Sequence, residues 1–281
     1  MASLQQIKSR LNSVTTTKKI TKAMQLVATA KLQRAQGNLV AIQEYYSAVY
    51  DTFQNLLANV SDAKKLFKSD AKESTLYVVI TSDLGLAGSY NSSIYKQVDH
   101  LVRSNDKLVV IGTKGVAHYK AINKSMHLEL ANAGDNPNYE FASKVSEEAL
   151  SLLMTGEINA IKLVHTKFIN SITFEAKITQ IMPVDEEEIK KSDSKEHVMV
   201  EFEPSPEEVL MDALPLYVSA MIFGSMVESK VSEMSSRRTA MENATDNAEE
   251  IIDKLDLEYN RARQATITQG ITEIVAGAET E

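Results

Sequence analysis

The stretch best suited to chemistry is residues 81–91, Thr-Ser-Asp-Leu-Gly-Leu-Ala-Gly-Ser-Tyr-Asn, a glycine-bearing turn between an apolar run and a helical one. In an α/β fold this is where phosphate binds, because helix N-terminal amides point outward there. The spacing matches neither a Walker A loop nor GxGxxG, and no lysine sits within the turn. A structural strand-to-helix turn therefore competes with a nucleotide site. Five histidines, His100, His118, His127, His165 and His197, show no metal-ligand spacing, and residues 185–188 are an acidic loop run. No G-x-S-x-G elbow is present, and a count of zero cysteines removes disulfides, thiolate metal sites and cysteine nucleophiles together. The expectation is a chain without catalytic, cofactor-binding or metal residues.

The elements around that turn alternate. Residues 75–81 and 107–112 read as buried strands, 126–130 as a short one, and 89–103, 115–122 and 138–154 as helices. That order implies a parallel βαβ core. Residues 158–168 and 171–182 read as a hairpin turning tightly at Ile169 and Asn170, which makes the sheet mixed, and residues 197–203 as a last strand after a charged loop. Two long helical patterns bracket this α/β domain. The second, about 207–277, places Ala220, Val227, Met234, Met241, Ala248, Leu255 and Ala262 at every seventh position. Its companion row, Tyr217, Gly224, Val231, Arg238, Thr245, Ile252, Tyr259 and Thr266, is mixed. About seventy helical residues span about 105 Å. Pro206 opens this helix where a missing amide costs nothing, and Pro215 predicts a kink without ending it.

The first pattern, residues 1–60, carries an apolar row from Leu4, Ile7, Leu11 and Val14 that resumes at Leu32. Between them the row falls on Lys18, Thr21, Gln25 and Ala28, while Ile20, Ala23, Met24 and Val27 lie off it. Either the coil stutters there or the helix shows apolar surface to something other than its partner. Pairing of the two terminal helices must be antiparallel if both leave the same domain. The fold expected is thus a long antiparallel coiled coil of the N- and C-terminal helices, 1–60 with 207–281, plus a central α/β domain, 75–203, with a mixed sheet.

Net charge is −8, which argues against nucleic acid as a partner of the whole chain, yet Lys8, Arg10, Lys18, Lys19, Lys22, Lys31 and Arg34 all precede the first acidic residue, Glu44. An acidic protein surface, a nucleic acid, an anionic membrane or solvent could face them. The Ser/Thr-rich start also fits a transit peptide, although its heptads run on into the helix. No unbroken run of about 18 apolar residues and no secretory h-region is seen, so a peripheral rather than membrane-spanning chain is expected.

Three stretches carry a resemblance: Lys-Lys-Ile-Thr-Lys-Ala-Met-Gln-Leu-Val-Ala at 18–28, Ser-Arg-Arg-Thr-Ala-Met-Glu-Asn-Ala-Thr-Asp-Asn-Ala at 236–248, and Tyr-Asn-Arg-Ala-Arg-Gln-Ala-Thr-Ile-Thr at 259–268. With the 82–91 turn and the helix, α/β, helix order, they resemble the gamma subunit of the F-type ATP synthase over essentially the whole chain. The resemblance implies a non-catalytic central rotor shaft that couples proton-driven rotation to ATP synthesis, one copy inside three alpha and three beta subunits. It also implies an epsilon subunit and a membrane c-ring as partners, and a place on the cytoplasmic face of the cell membrane. Residues matching the family's subunit contacts are Lys18, Lys22, Met24, Arg237, Arg263 and Gln264. Departures are Leu84 where arginine is usual, Arg238 for methionine, and Gly270 for glutamate; lacking cysteine, the chain cannot carry the thiol-regulated insert of chloroplast forms. Two competing readings are a nucleotide-dependent α/β enzyme with a coiled-coil dimerisation arm, and a tether whose basic tip binds nucleic acid.

Overall fold

The computed structural model describes residues 4–60, 74–171, 173–184 and 202–278. In chain order its elements are α1 (Leu4–Asn59), β1 (Thr75–Ile80), α2 (Tyr90–Leu101), β2 (Lys107–Ile111), α3 (Thr113–Ala121), β3 (Leu128–Leu130), α4 (Tyr139–Met154), β4 (Ala160–Phe168), β5 (Phe174–Met182) and α5 (Pro206–Ala278). The chain forms two compact units, one of Ala30–Ser236 and one of Met1–Thr29 with Arg237–Glu281, so each long helix contributes to both.

In the unit of Ala30–Ser236 the sheet order is β3-β2-β1-β4-β5. β1, β2, β3 and β4 run parallel, and β5 returns antiparallel to β4. The parallel core expected from the alternation and the mixed sheet expected from the hairpin are therefore both present. Period 2 divides the apolar residues of β1 between two cores. Leu76, Val78 and Ile80 pack with α4, the end of α1 and the start of α5, whereas Tyr77 and Val79 pack with α2 and α3. The β4–β5 connection spans residues 169–173 instead of the two-residue turn expected at Ile169 and Asn170. The Asn170 side chain takes the Thr173 amide at 2.8 Å, and the amides of Ile169 and Asn170 both donate to the Thr173 carbonyl, which widens the loop. The strand expected at 197–203 falls outside the described residues except for Phe202 and Glu203, which are not in a strand.

Ser205 starts α5 by accepting the Glu208 amide at 3.2 Å, and Pro206 takes the first helical position. The helix continues through Pro215. It holds an 18-residue window of mean hydropathy 1.6, long and apolar enough to cross a membrane by length and composition, which the search for an unbroken apolar run missed. Since 56% of that window is buried in the chain's own fold, it is core helix.

α1 and α5 pack side by side within this unit. Leu32 and Ala35 meet Val231 and Met234, and the Phe53 ring stacks on Tyr217 with centroids 4.0 Å apart. Residue numbers rise on one helix as they fall on the other, so the pair is antiparallel. At Gly224 an added Cβ would lie 2.5 Å from the Tyr46 ring, so only glycine admits this close approach.

Candidate functional site: the helical hairpin and the switch-point turn

In the second unit, Thr21 and Thr245 are hydrogen bonded through their hydroxyls at 2.8 Å, and Lys18 pairs with Glu249 at 2.9 Å. The helices are antiparallel here too. On α5 the residues Met241, Thr245, Ala248 and Leu255 are buried, with Ile252, Tyr259 and Ala262 half-buried at the intervening heptad places. On α1 the covered row is Leu4, Ile7, Leu11, Val14, Lys18, Thr21, Gln25 and Ala28. The row is thus continuous, and the stutter is excluded: polar residues occupy the seam while Ile20, Leu26 and Val27 stand 55%, 62% and 58% exposed outside it. An alternation of 3 and 4 residues holds the seam facing its partner whatever the residue type. The Thr21–Thr245 bond and the i−4 carbonyl taken by Thr245 satisfy the polar groups so enclosed.

The register set by Thr21 and Thr245 brings Leu4 level with Ala262. Beyond that point no described residue of α1 lies level with α5, and Ile267, Ile271, Ile274 and Val275 are 53% to 74% exposed. The six residues singled out from the sequence fall into two groups. Lys18, Lys22, Met24 and Arg237 lie along the paired region, and Arg263 and Gln264 lie past its end, about 22 Å along α5 from the level of Lys18 and about 39 Å from Arg237 at 1.5 Å per residue. Lys22, Arg263 and Gln264 are exposed, Met24 is half-buried, Lys18 is engaged with Glu249, and Arg237 is buried. Counting bases alone missed the acids opposite them: Glu242, Asp246, Glu249, Glu250, Asp253, Asp256 and Glu258 all lie on the facing stretch of α5. Charge on the hairpin is therefore partitioned by helix, basic α1 against acidic α5.

The turn at 81–89 occupies the switch point of the sheet, where β1 is followed by neighbours on opposite sides and where α/β folds admit ligands. Here the chain fills it. Asp83 Oδ1 accepts the Thr113 amide (2.8 Å), the Thr113 hydroxyl (2.8 Å) and the Asn132 amide (3.0 Å), and Oδ2 accepts the Asp135 amide (2.7 Å). The N-terminus of α3 thus already holds an anion, the protein's own carboxylate. Gly112, at φ 105°, must be glycine, because a Cβ would sit 2.2 Å from the Thr81 carbonyl oxygen. Ser82 and Asn91 clamp the turn reciprocally, amide to Oδ1 at 3.1 Å and Nδ2 to Oγ at 2.7 Å. At its tip Leu84 and Leu86 are exposed and apolar, which suits contact with protein and offers no charge to pair.

α5 covers the same crevice. Its Ser236 hydroxyl donates to the Ala87 carbonyl (2.6 Å), Ser232 donates to the Thr166 carbonyl (3.2 Å), and Ser229 and Glu228 accept the amides of Thr166 (3.2 Å) and Phe168 (3.3 Å). β1 pairs with β4 only as far as Val164, so α5 side chains satisfy the backbone of β4 beyond it. Lys230, 8% exposed, joins Asp135 at 2.6 Å to Glu233 at 3.1 Å, and Lys31 of α1 reaches Asp135 at 3.2 Å. The Lys230 hydrogen bond, first among its causes, holds the Asp135 carboxyl below its usual range. The space enclosed between Thr81, Tyr90, Gly134, Lys230 and Glu233 has no room for a water molecule.

Comparison with known proteins converges with this geometry. A family model described as ATP synthase matches residues 3–280. The ATP synthase gamma chain of Mycoplasmopsis pulmonis is 43% identical over 278 residues, covering 99% of both chains, and that of Mycoplasma mobile is 44% identical over 287 residues, covering 100% of both. Among solved structures, a chain of the central stalk and c-ring of Tetrahymena thermophila mitochondrial ATP synthase superposes with a TM-score of 0.64 at 29% identity, over 80% of this chain and 99% of that one. A chain from Euglena gracilis mitochondrial ATP synthase gives a TM-score of 0.72 at 19% identity over 99% and 94%, a likeness of fold. The paired terminal helices, the filled switch point and the full-length matches together place one conclusion beyond the fold: the chain belongs to the family of ATP synthase gamma chains.

Proposed function

We propose that the chain is the central rotor shaft of a membrane-associated ATP synthase, a non-catalytic subunit present once among three alpha and three beta subunits. In this reading residues 1–60 and 207–281 are the shaft, and residues 75–203 carry the epsilon subunit and the membrane c-ring on the cytoplasmic face. The observation that carries it is the seam of α1: a heptad row unbroken from Leu4 to Ala28, with Ile20, Leu26 and Val27 left outside it and exposed. A helix already covered by its partner has no internal use for a second apolar face, so that face is kept for a surrounding surface.

The shaft works as a ligand that moves. Turning it presents each beta subunit first with exposed apolar surface and Lys22, then with the acidic side of α5. Only a face that binds open and closed beta conformations unequally shifts their populations. Lys18, Lys22, Met24 and Arg237 serve one level of contact, and Arg263 and Gln264 the level past the end of α1. Lys22, Arg263 and Gln264 are free to touch a neighbour directly; Lys18 is shared with Glu249, and buried Arg237 acts by holding α5 in place. Exposed charges give attraction without one locked register, which suits a surface that must slide. The nucleotide-enzyme reading is disfavoured by the Asp83 carboxylate and α5, which take the place a phosphate would need.

The test is reconstitution with alpha and beta subunits and a probe fixed to the α/β domain. ATP-driven stepping of the probe in one direction is expected, with one copy of the chain per three beta subunits. An active complex whose probe does not step contradicts the assignment.

A further inference from the structure

We propose, resting on the rotor reading above, that Lys230 and its carboxylate partners are a positioning device: they fix the rotation of α5 about its own axis against the α/β domain, so that torque passes between the two without slip. All the residues concerned belong to the unit of Ala30–Ser236. Every residue of 229–236 is buried, Lys230 at 8% being the most exposed, although only Val231 and Met234 are apolar. A helix enclosed on all sides is ordinarily apolar all round. Here Val231 and Met234 pack with Leu32 and Ala35 of α1, and the rest of the circumference is left to Lys230, Glu233 and serines. Stability does not explain that choice, because a buried ion pair replaced by apolar groups of similar volume is often neutral or more stable. What charged and neutral hydrogen bonds supply, and apolar packing does not, is a preferred direction.

Each polar group is aimed at a separate piece of the α/β domain. Lys230 reaches Asp135 in the loop after β3 (2.6 Å), Ser232 the Thr166 carbonyl of β4 (3.2 Å), Ser235 the Ser171 carbonyl of the β4–β5 loop (2.6 Å) and Ser236 the Ala87 carbonyl of the 81–89 turn (2.6 Å). At about 3.6 residues per turn, Lys230 lies on the opposite side of α5 from these three serines, so rotation of the helix either way stretches bonds on both sides at once. Asp135 is the hub of the set. Its carboxylate also takes Lys31 of α1 at 3.2 Å, and its amide donates to Asp83 at 2.7 Å, so both long helices and the base of the turn meet at one residue. Charge within the set is balanced, Lys31 and Lys230 against Asp135 and Glu233. The space beside Lys230 and Glu233 has no room for a water molecule, so solvent cannot take over a contact that a turn of the helix would open.

The test combines urea unfolding of the full chain with ATP-driven stepping of a probe on the α/β domain in the reconstituted complex. Lys230→Met with Glu233→Gln removes one charge of each sign and leaves Asp135 paired with Lys31. This double variant is expected to keep the parental urea midpoint and ATP hydrolysis within about twofold of the parent, while the spread of probe angles at each pause widens at least twofold. Lys230→Arg, which keeps the charge, is expected to keep the narrow spread. Val231→Ala opens a cavity against α1 on the same segment and removes none of the polar contacts; it is expected to lower the urea midpoint and leave the spread unchanged. An unwidened spread in the double variant, equal widening in Val231→Ala or in Lys230→Arg, or a double variant whose midpoint falls as far as that of Val231→Ala would each overturn the proposal. A parent complex that does not step overturns the rotor reading and this inference with it, whereas a parent that steps between narrow pauses no wider in the double variant sinks this inference alone.

Discussion

The Asp83 carboxylate accepts four hydrogen bonds from Thr113, Asn132 and Asp135, and in doing so supplies the negative charge that the N-terminus of α3 would otherwise draw from a ligand. Asp83→Ala leaves the Thr113 and Asp135 amides short of this acceptor, while the Asn132 amide keeps the Thr113 hydroxyl at 3.2 Å. A loss of about 3 kcal/mol is expected in urea unfolding of the full chain, and a smaller one for Asp83→Asn, which keeps one acceptor oxygen. A second residue ties stability to pH. The His165 pKa falls from 6.5 to about 4 on folding, chiefly by burial, so between those values the unfolded chain binds more protons than the folded one. Its contribution is therefore intact above pH 6.5 and is withdrawn as pH falls towards 4, on the order of 2 kcal/mol by pH 5. Glu228, whose carboxyl is raised by burial, works with the opposite sign and returns part of that loss as it protonates. Unfolding curves at pH 7 and pH 5 should diverge less for His165→Phe than for the parent chain; equal divergence would remove His165 from the account.

At the scale of elements, the seam between α1 and α5 and the outer face of α1 make separable predictions. Leu255, buried in the seam, should cost about 2 kcal/mol of stability as Leu255→Ala. Ile20→Ser and Val27→Ser, at exposed positions, should leave the melting curve of the isolated chain within about 0.5 kcal/mol and yet lower ATP-driven proton pumping in a reconstituted complex. Loss of stability without loss of coupling in the serine variants would make Ile20 and Val27 structural. The same helix marks how far the sequence could be read. Heptad spacing at Met241, Ala248 and Leu255, the continuous apolar runs of β1 and β2 and the alternation of β5 were legible because burial follows backbone geometry. Whether Lys18, Thr21, Gln25 and Ala28 continued the seam was not, since polar residues there look alike whether a coil slips or closes over them; it took the Thr21–Thr245 bond to decide. The Asp83 network was also hidden, because its four donors come from three places up to 52 residues distant in sequence. So was the crossing of α5 over β4, where Ser229, Ser232 and Glu228 meet strand backbone 60 to 66 residues away. A motif search asks what a turn could bind, and only the tertiary fold tells what already fills it.

For the whole molecule, the question is which parts of the chain exist for its own stability and which for a partner. As an ATP synthase gamma chain it is a non-catalytic stalk subunit, and its surfaces must be judged by what they leave uncovered. Past Ala262, α5 has no facing helix among the described residues in the register set by Thr21 and Thr245, and Ile267, Ile271, Ile274 and Val275 are exposed. An isolated helix of that length is marginal in water, and Gly270 weakens it further by about 1 kcal/mol relative to alanine. Such a segment adds nothing to the fold of the free chain, so its apolar stripe has value only inside a ring that covers it. A chain ending at Ala262 should therefore unfold at the same urea concentration as the full chain. Built into a complex, it should still assemble and hydrolyse ATP, but synthesis should fail at a higher proton-motive force than the full chain requires, because Arg263, Gln264 and the stripe no longer centre the shaft. Measuring ATP synthesis against imposed proton-motive force for both chains separates the cases. If the truncated chain is markedly less stable alone, the segment packs on its own protein and the bearing role is wrong; if synthesis is unaffected at every force, the level of contact below Ala262 centres the shaft by itself.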